Sequence, residues 1–164
     1  MIAIENIELI DGNLLDFPND ITCIAHSCNT KNIMGGGIAR QIKDRYPNAY
    51  SVDCHAMMNN DNQLGWYSFA VTDATQNKGI YNIYTQDKIG GNRAVNYEAF
   101  YVALNKVADH IEWKMKHEDE EKILGLPWGI SCGLAGGSWG VIFSMINNIL
   151  VDRSFKTYIV KYHE

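Results

Sequence analysis

Apolar and polar positions change their spacing several times along the chain, and each change marks an element. Short β-branched runs bounded by turn residues, Ala3–Ile10 before Asp11-Gly12-Asn13 and Ile21–Ala25 after Pro18-Asn19-Asp20, predict two opening strands. From Gly37 the apolar residues Ile38, Ala39, Ile42 and Tyr46 follow the helical period until Pro47 stops it, and Asn48–Met58 reads as a second helix. Trp66–Thr72 and Gly79–Thr85 are rich in aromatic and β-branched residues and flank a turn at Ala74–Lys78, which predicts a hairpin. Tyr97, Phe100, Tyr101, Leu104, Val107, Ala108 and Ile111 recur at steps of three and four and form the core face of the longest amphipathic helix. The acidic run Glu118–Glu121 belongs in a solvated loop beyond it, since negative charge opposes the dipole at a helix C-terminus. A strand at Ile123–Ile130, a helix at Trp139–Leu150 and a strand at Lys156–Lys161 complete the pattern. Strands alternating with helices predict an α/β fold, a three-layer α/β/α sandwich around a mixed central sheet.

Composition narrows the classes. Of 164 residues, 46 % are hydrophobic and 20 % charged, enough for one globular domain spanning 1–164. With 14 Lys+Arg against 19 Asp+Glu the net charge is −5, which argues against a broad cationic surface and so against duplex nucleic acid as a partner. Cys23, Cys28, Cys54 and Cys132 form no C-x-x-C pair and no disulfide framework, so a reducing compartment is expected. No apolar run approaches the roughly 20 residues of a membrane helix, and the N-terminus lacks the basic region of a signal peptide. A soluble, cytoplasmic protein is the expectation, with its oligomeric state left open.

Two glycine-rich segments carry the candidate chemistry. Asn32 to Ala39 contains Met34-Gly35-Gly36-Gly37-Ile38, and Ser131 to Ser138 contains Cys132-Gly133-Leu134-Ala135-Gly136-Gly137. Each sits between a predicted strand and a helix. Glycine permits positive φ and removes the Cβ that keeps a ligand away, so successive N–H groups can converge on an anion beside a helix N-terminus. Two such loops suit a diphosphate, and both fall where ligands bind in open α/β sheets, outside the C-terminal strand ends. Neither is a P-loop or a dinucleotide-dehydrogenase fingerprint, because no Lys-Ser or Lys-Thr follows the glycines and the G-x-G-x-x-G spacing is missing.

Gly12-Asn13-Leu14, then Ala25-His26-Ser27-Cys28-Asn29 leading to Met34-Gly35-Gly36-Gly37-Ile38-Ala39, then Pro127 through Gly137 and Trp139, together resemble a macro domain over essentially the whole chain. The Ala-His and Met-Gly-x-Gly-Ile-Ala signatures resemble the branch with ADP-ribose 1''-phosphate phosphatases and terminal ADP-ribose glycohydrolases. The resemblance implies that Asn13 stands where the family reads adenine with an acidic residue. A neutral amide still accepts there but gives up the charge-assisted bond. It further implies that Asn29 touches the distal ribose, that Gly35, Gly36, Gly37 and Ile38 form the first phosphate and ribose loop, that Ser131 through Gly137 form the second, and that Tyr162 stacks on adenine. The lysine and aspartate of the glutamate-cleaving branch are replaced here by Gln86 and Ala135, with Asp87 and Lys88 nearby.

His26 is the titratable group next to these loops, with an ordinary pKa near 6.5 that suits proton transfer. Its structural alternative is a buried ring bonded to a carbonyl. Cys132 admits either a nucleophile beside a helix N-terminus or simple packing. His55, His110, His117 and His163 have no metal-ligand spacing, so neither metal nor cofactor is expected. The functional expectation is a chain that binds ADP-ribose or a derivative and hydrolyses ADP-ribose 1''-phosphate, with His26 and Asn29 as candidate catalytic residues. The alternatives are a binding module without turnover and a glycohydrolase acting on modified protein or nucleic acid.

Overall fold

A computed structural model describes residues 6–87 and 94–163. The elements are β1 (Ile7–Asp11), β2 (Cys23–Asn29), α1 (Gly37–Arg45), α2 (Pro47–Met58), β3 (Tyr67–Asp73), β4 (Lys78–Gln86), α3 (Tyr97–Glu118), β5 (Ile123–Pro127), α4 (Trp139–Leu150) and β6 (Lys156–Lys161). Ala3 and Lys88 lie outside the described residues. The six strands form one sheet in the order β1-β6-β5-β2-β4-β3, all neighbours parallel except the β3–β4 hairpin at one edge. The mixed α/β sandwich is thus present, and the parallel strands point their C-terminal ends to the same side.

Alternate residues of each strand feed two cores. Cys23, Ala25, Tyr81, Ile83, Leu124, Leu126 and Ile159 pack under Phe100, Leu104, Val107 and Ile111 of α3 and Ile142, Ile146 and Ile149 of α4. On the opposite face Ile24, Ala70, Ile80 and Val160 pack with Ile42 of α1, Ala49 of α2, and Leu14 and Leu15 from the short 3-10 turn after β1. Burial on both faces is what a central parallel strand requires.

Several boundaries differ from the sequence reading. β2 runs to Asn29 rather than Ala25, because the polar His26, Ser27 and Asn29 find partners on neighbouring segments instead of water. β5 ends at Pro127 rather than Ile130, because Gly129 and Ser131 adopt φ of +76° and +63° and turn the chain out of the sheet. α3 extends to Glu118, whose charge is met by Lys114 at 3.1 Å and Lys122 at 3.6 Å, and Asp119 ends the helix in the left-handed region. The acidic run therefore begins inside the helix, and the Lys122 it surrounds is 97 % buried, being only 3 % exposed.

Candidate ligand-binding cleft

The C-terminal ends of β2, β4, β5 and β6 and the chain just after β1 open onto one cleft of about 650 Å³. That volume falls in the range of small-molecule sites, roughly 300–1,000 Å³. Its walls are the two glycine loops. The first joins β2 to α1 and is folded by Asn29, whose Oδ1 accepts from the N–H groups of Lys31 (3.0 Å) and Ile33 (3.3 Å) while its Nδ2 donates to the Ile33 carbonyl at 2.8 Å. The second joins β5 to α4 and is held by Gly137 N–H to the Ser131 carbonyl (2.8 Å) and Val95 N–H to the Ala135 carbonyl (3.1 Å). A hydrogen bond between the Ser27 and Ser131 hydroxyls ties the end of β2 to this loop.

The backbone leaves donors pointing nowhere within the protein. The N–H groups of Gly35, Gly36, Gly37 and Ile38 in the first loop, and of Gly133, Leu134 and Ala135 in the second, find no acceptor among the described residues. Helix starts always leave such groups, and here α1 contributes the partial positive charge of its own N-terminus. Among the described residues lining the cleft there is no Asp, Glu, Lys, Arg or His. An anion entering between the loops meets oriented amides and no opposing carboxylate.

The expected residues divide. Asn13, Leu14, Asn29, Gly35, Gly36, Gly37, Ile38, Ser131, Gly133, Leu134, Ala135 and Tyr162 line the cleft, as does Gln86. Gly12, His26, Met34, Cys132, Gly136 and Gly137 do not. Met34 is 3 % exposed and packs with Cys28, Ala56 and Tyr84, anchoring the first loop from below. Gly136 adopts φ +71°, and a Cβ on Gly137 would sit 2.5 Å from the Ser131 carbonyl oxygen, so these two glycines shape the second loop. Cys132 donates to the Ile130 carbonyl at 3.3 Å, and burial pushes its thiol up, away from thiolate character. Gly12 closes β1, its N–H donating to the Lys161 carbonyl at 3.0 Å.

His26 is wholly buried beneath the cleft, not in it. Its Nε2 lies 2.6 Å from Asn82 Oδ1, and Asn82 Nδ2 in turn donates to Ser68 Oγ and the Ala49 carbonyl, each at 3.0 Å. Burial lowers the imidazole pKa from 6.5 to about 4, only partly offset by the Asn82 bond. This ring braces β2 against β4 and α2. The catalytic expectation for His26 thus meets a neutral ring removed from the ligand space.

Sequence reading missed Trp128. It lies at the end of β5, lines the cleft and is 41 % exposed, its ring centroid 5.3 Å from that of Trp139, with Lys161 Nζ 4.6 Å from its ring centroid. A strand drawn through Ile130 hid it, and the Pro127-Trp128-Gly129 turn was the available signal.

Comparison with solved structures matches this architecture. The macrodomain of Thermus aquaticus DarG superposes with a TM-score of 0.76 at 19 % identity, covering 96 % of this chain and 98 % of that one. A macrodomain protein from Streptomyces coelicolor gives 0.74 at 25 % identity, covering 96 % and 99 %. The chain has the macrodomain fold. Thermosipho africanus DarTG in complex with ADP-ribose matches this chain with a TM-score of 0.79 at 18 % identity, over 96 % of the present chain and 42 % of the other. Among curated proteins, the ADP-ribose 1''-phosphate phosphatase of Aspergillus oryzae is 43 % identical over 47 residues, 29 % of the present chain and 23 % of that protein's length. No protein-family profile matches the chain. No helix among the described residues is long and apolar enough to cross a membrane.

Proposed function

We propose that this macrodomain binds ADP-ribose or a close derivative, with the diphosphate between the glycine loops. The observation that carries the reading is the pair of facing loops whose N–H groups lack internal acceptors in a cleft without carboxylates among the described residues. The ADP-ribose complex of the fold neighbour from Thermosipho africanus supports the choice of ligand. A ligand that binds only the folded state at 100 times its Kd adds about 2.7 kcal/mol of stability. Saturating ADP-ribose is therefore expected to raise the melting midpoint by about 5–10 °C. An unmoved midpoint, with another nucleotide raising it, would show that the ligand is wrong.

A second reading, hydrolysis of ADP-ribose 1''-phosphate, is favoured by the 47-residue stretch shared with the Aspergillus phosphatase. The cleft supplies this reaction with oriented amides and the Ser27 and Ser131 hydroxyls, and no acid or base among the described residues. Catalysis would rest on positioning and electrostatic stabilisation of the phosphate. Phosphate release from ADP-ribose 1''-phosphate by the pure protein decides between turnover and binding alone.

A further inference from the structure

Asn13 and Asn29, two of the amides that line the cleft, are engaged by the backbone around them. Asn29 gives its Oδ1 to the N–H groups of Lys31 and Ile33 and its Nδ2 to the Ile33 carbonyl, and Asn13 Oδ1 accepts from the Leu15 N–H. The hydroxyls of Ser27 and Ser131, which also line the cleft, are placed differently. Each has the other as its hydrogen-bond partner and no second one among the described residues. Two hydroxyls carry two hydrogens, and the bond between them uses one. Whichever serine donates, the other keeps an O–H that no described residue accepts.

Ser131 holds its hydroxyl there against its own backbone preference. Its φ of +63° lies in the left-handed region, where the same turn and loop otherwise use Gly129 and Gly136. Among the described residues the other non-glycine residues with positive φ are Asn or Asp, whose short side chains tolerate it, apart from Phe17. Phe17 is compensated by its buried ring, which packs edge-on to Tyr46 with centroids 5.8 Å apart. Ser131 brings no such packing. Glycine at this position would relieve the strain and keep the bond from Gly137 N–H to the residue 131 carbonyl, which is backbone alone. The one thing glycine would remove is the hydroxyl, so the side chain itself is the reason for the strain.

Resting on the reading of the cleft as a site for an ADP-ribose-type ligand, we propose that Ser27 and Ser131 act as one unit that donates a single O–H to a phosphate oxygen of the ligand. One serine faces the anion, and the other donates to its oxygen, which orients and polarises the O–H that reaches the ligand. The free N–H groups of Gly133, Leu134 and Ala135 follow Ser131 in the same loop, so the hydroxyl adds a side-chain donor to a row of backbone donors. No Lys, Arg or His stands among the described lining residues to neutralise the charge, and a hydroxyl bond to an anionic oxygen is stronger than one to a neutral acceptor.

Calorimetric titration of the parent, Ser27→Ala, Ser131→Gly and the double variant tests this with ADP-ribose and with ADP, which shares the two phosphates and lacks the distal ribose. Ser131→Gly keeps the turn, because glycine takes φ +63° without strain, and a melting scan before each titration verifies the fold. Removing the serine that faces the phosphate is expected to lower affinity about tenfold, the loss of one hydrogen bond to a charged group. Removing the serine that orients it lowers affinity about threefold. The double variant should stay within about twofold of the weaker single variant, since an orienting hydroxyl has no effect once its target is gone. ADP should show the same ratios as ADP-ribose. Affinities within about twofold of the parent in all three variants, or single losses that multiply in the double variant, overturn the proposal and leave the cleft reading standing, because the parent binds. Losses seen with ADP-ribose and not with ADP overturn it as well, since they would move the contact from phosphate to ribose. Should neither ligand bind the folded parent, the cleft reading fails and the proposal falls with it.

Discussion

Gly36→Val is expected to lower ADP-ribose affinity on the order of 100-fold, the loss of one or two hydrogen bonds to a charged group at about 1.5–3 kcal/mol each. Gly36 has φ −150° and ψ 164°, extended backbone open to any residue, so the substitution introduces no backbone strain. An added Cβ comes 3.0 Å from Leu134 Cδ1, the far end of a side chain that is 74 % exposed and free to swing aside. The new isopropyl group then fills the gap between the glycine loops, where the phosphates would lie. Melting midpoint and affinity should separate, with the midpoint nearly unchanged. Gly137→Ala supplies the contrast: its Cβ would sit 2.5 Å from the backbone oxygen of Ser131, which cannot move without unfolding the second loop. That variant is expected to lose stability and affinity together. Equal losses of both quantities in the two variants would make the first loop a structural turn rather than a ligand contact.

The two loops were legible because a switch from a period of two to 3.6 brackets each run of glycines, and that switch alone places them outside the C-terminal strand ends. What the pattern concealed was the division of labour inside them. Gly36 and Gly137 look alike in sequence, yet one faces the exposed end of the Leu134 side chain across the cleft and the other lies against a carbonyl, a difference made by the Ser131 turn. Residues 26–29 resisted reading as strand because His26, Ser27 and Asn29 are polar, and the partners of the first two, Asn82 and Ser131, are 56 and 104 residues away. Asn13 shows the same limit: its identity is in the sequence, whereas the direction of its amide depends on the Leu15 N–H. Local composition reports which groups are present, and long-range packing decides which atom of each remains for a ligand.

His26→Ala is expected to destabilise the fold by about 3 kcal/mol, from a cavity at a wholly buried site and an Asn82 oxygen left without its partner. For a chain of this size that is a fall of roughly 6–12 °C in midpoint. Affinity for ADP-ribose, and any phosphate release, should stay within about threefold per folded molecule, because the ring lies beneath the cleft. A 100-fold loss of turnover at unchanged stability would instead return the histidine to the mechanism. Its titration supplies an independent reading. The folded ring titrates at about 4 and the unfolded one at 6.5, so the unfolded chain binds the extra proton first as pH falls. Stability conferred by the neutral ring is complete above pH 6.5 and is lost progressively down to about 4, a total of about 3 kcal/mol at 1.36 kcal/mol per pH unit. Asp53 acts in the opposite sense: burial raises its carboxyl pKa, so the folded state binds that proton first and gains stability as pH falls. Denaturation of parent and His26→Ala across pH 4–7 separates the two, since Asp53 is common to both. The parent curve should fall toward acid more steeply than the variant curve, and parallel curves would mean that the ring is not held neutral by its burial.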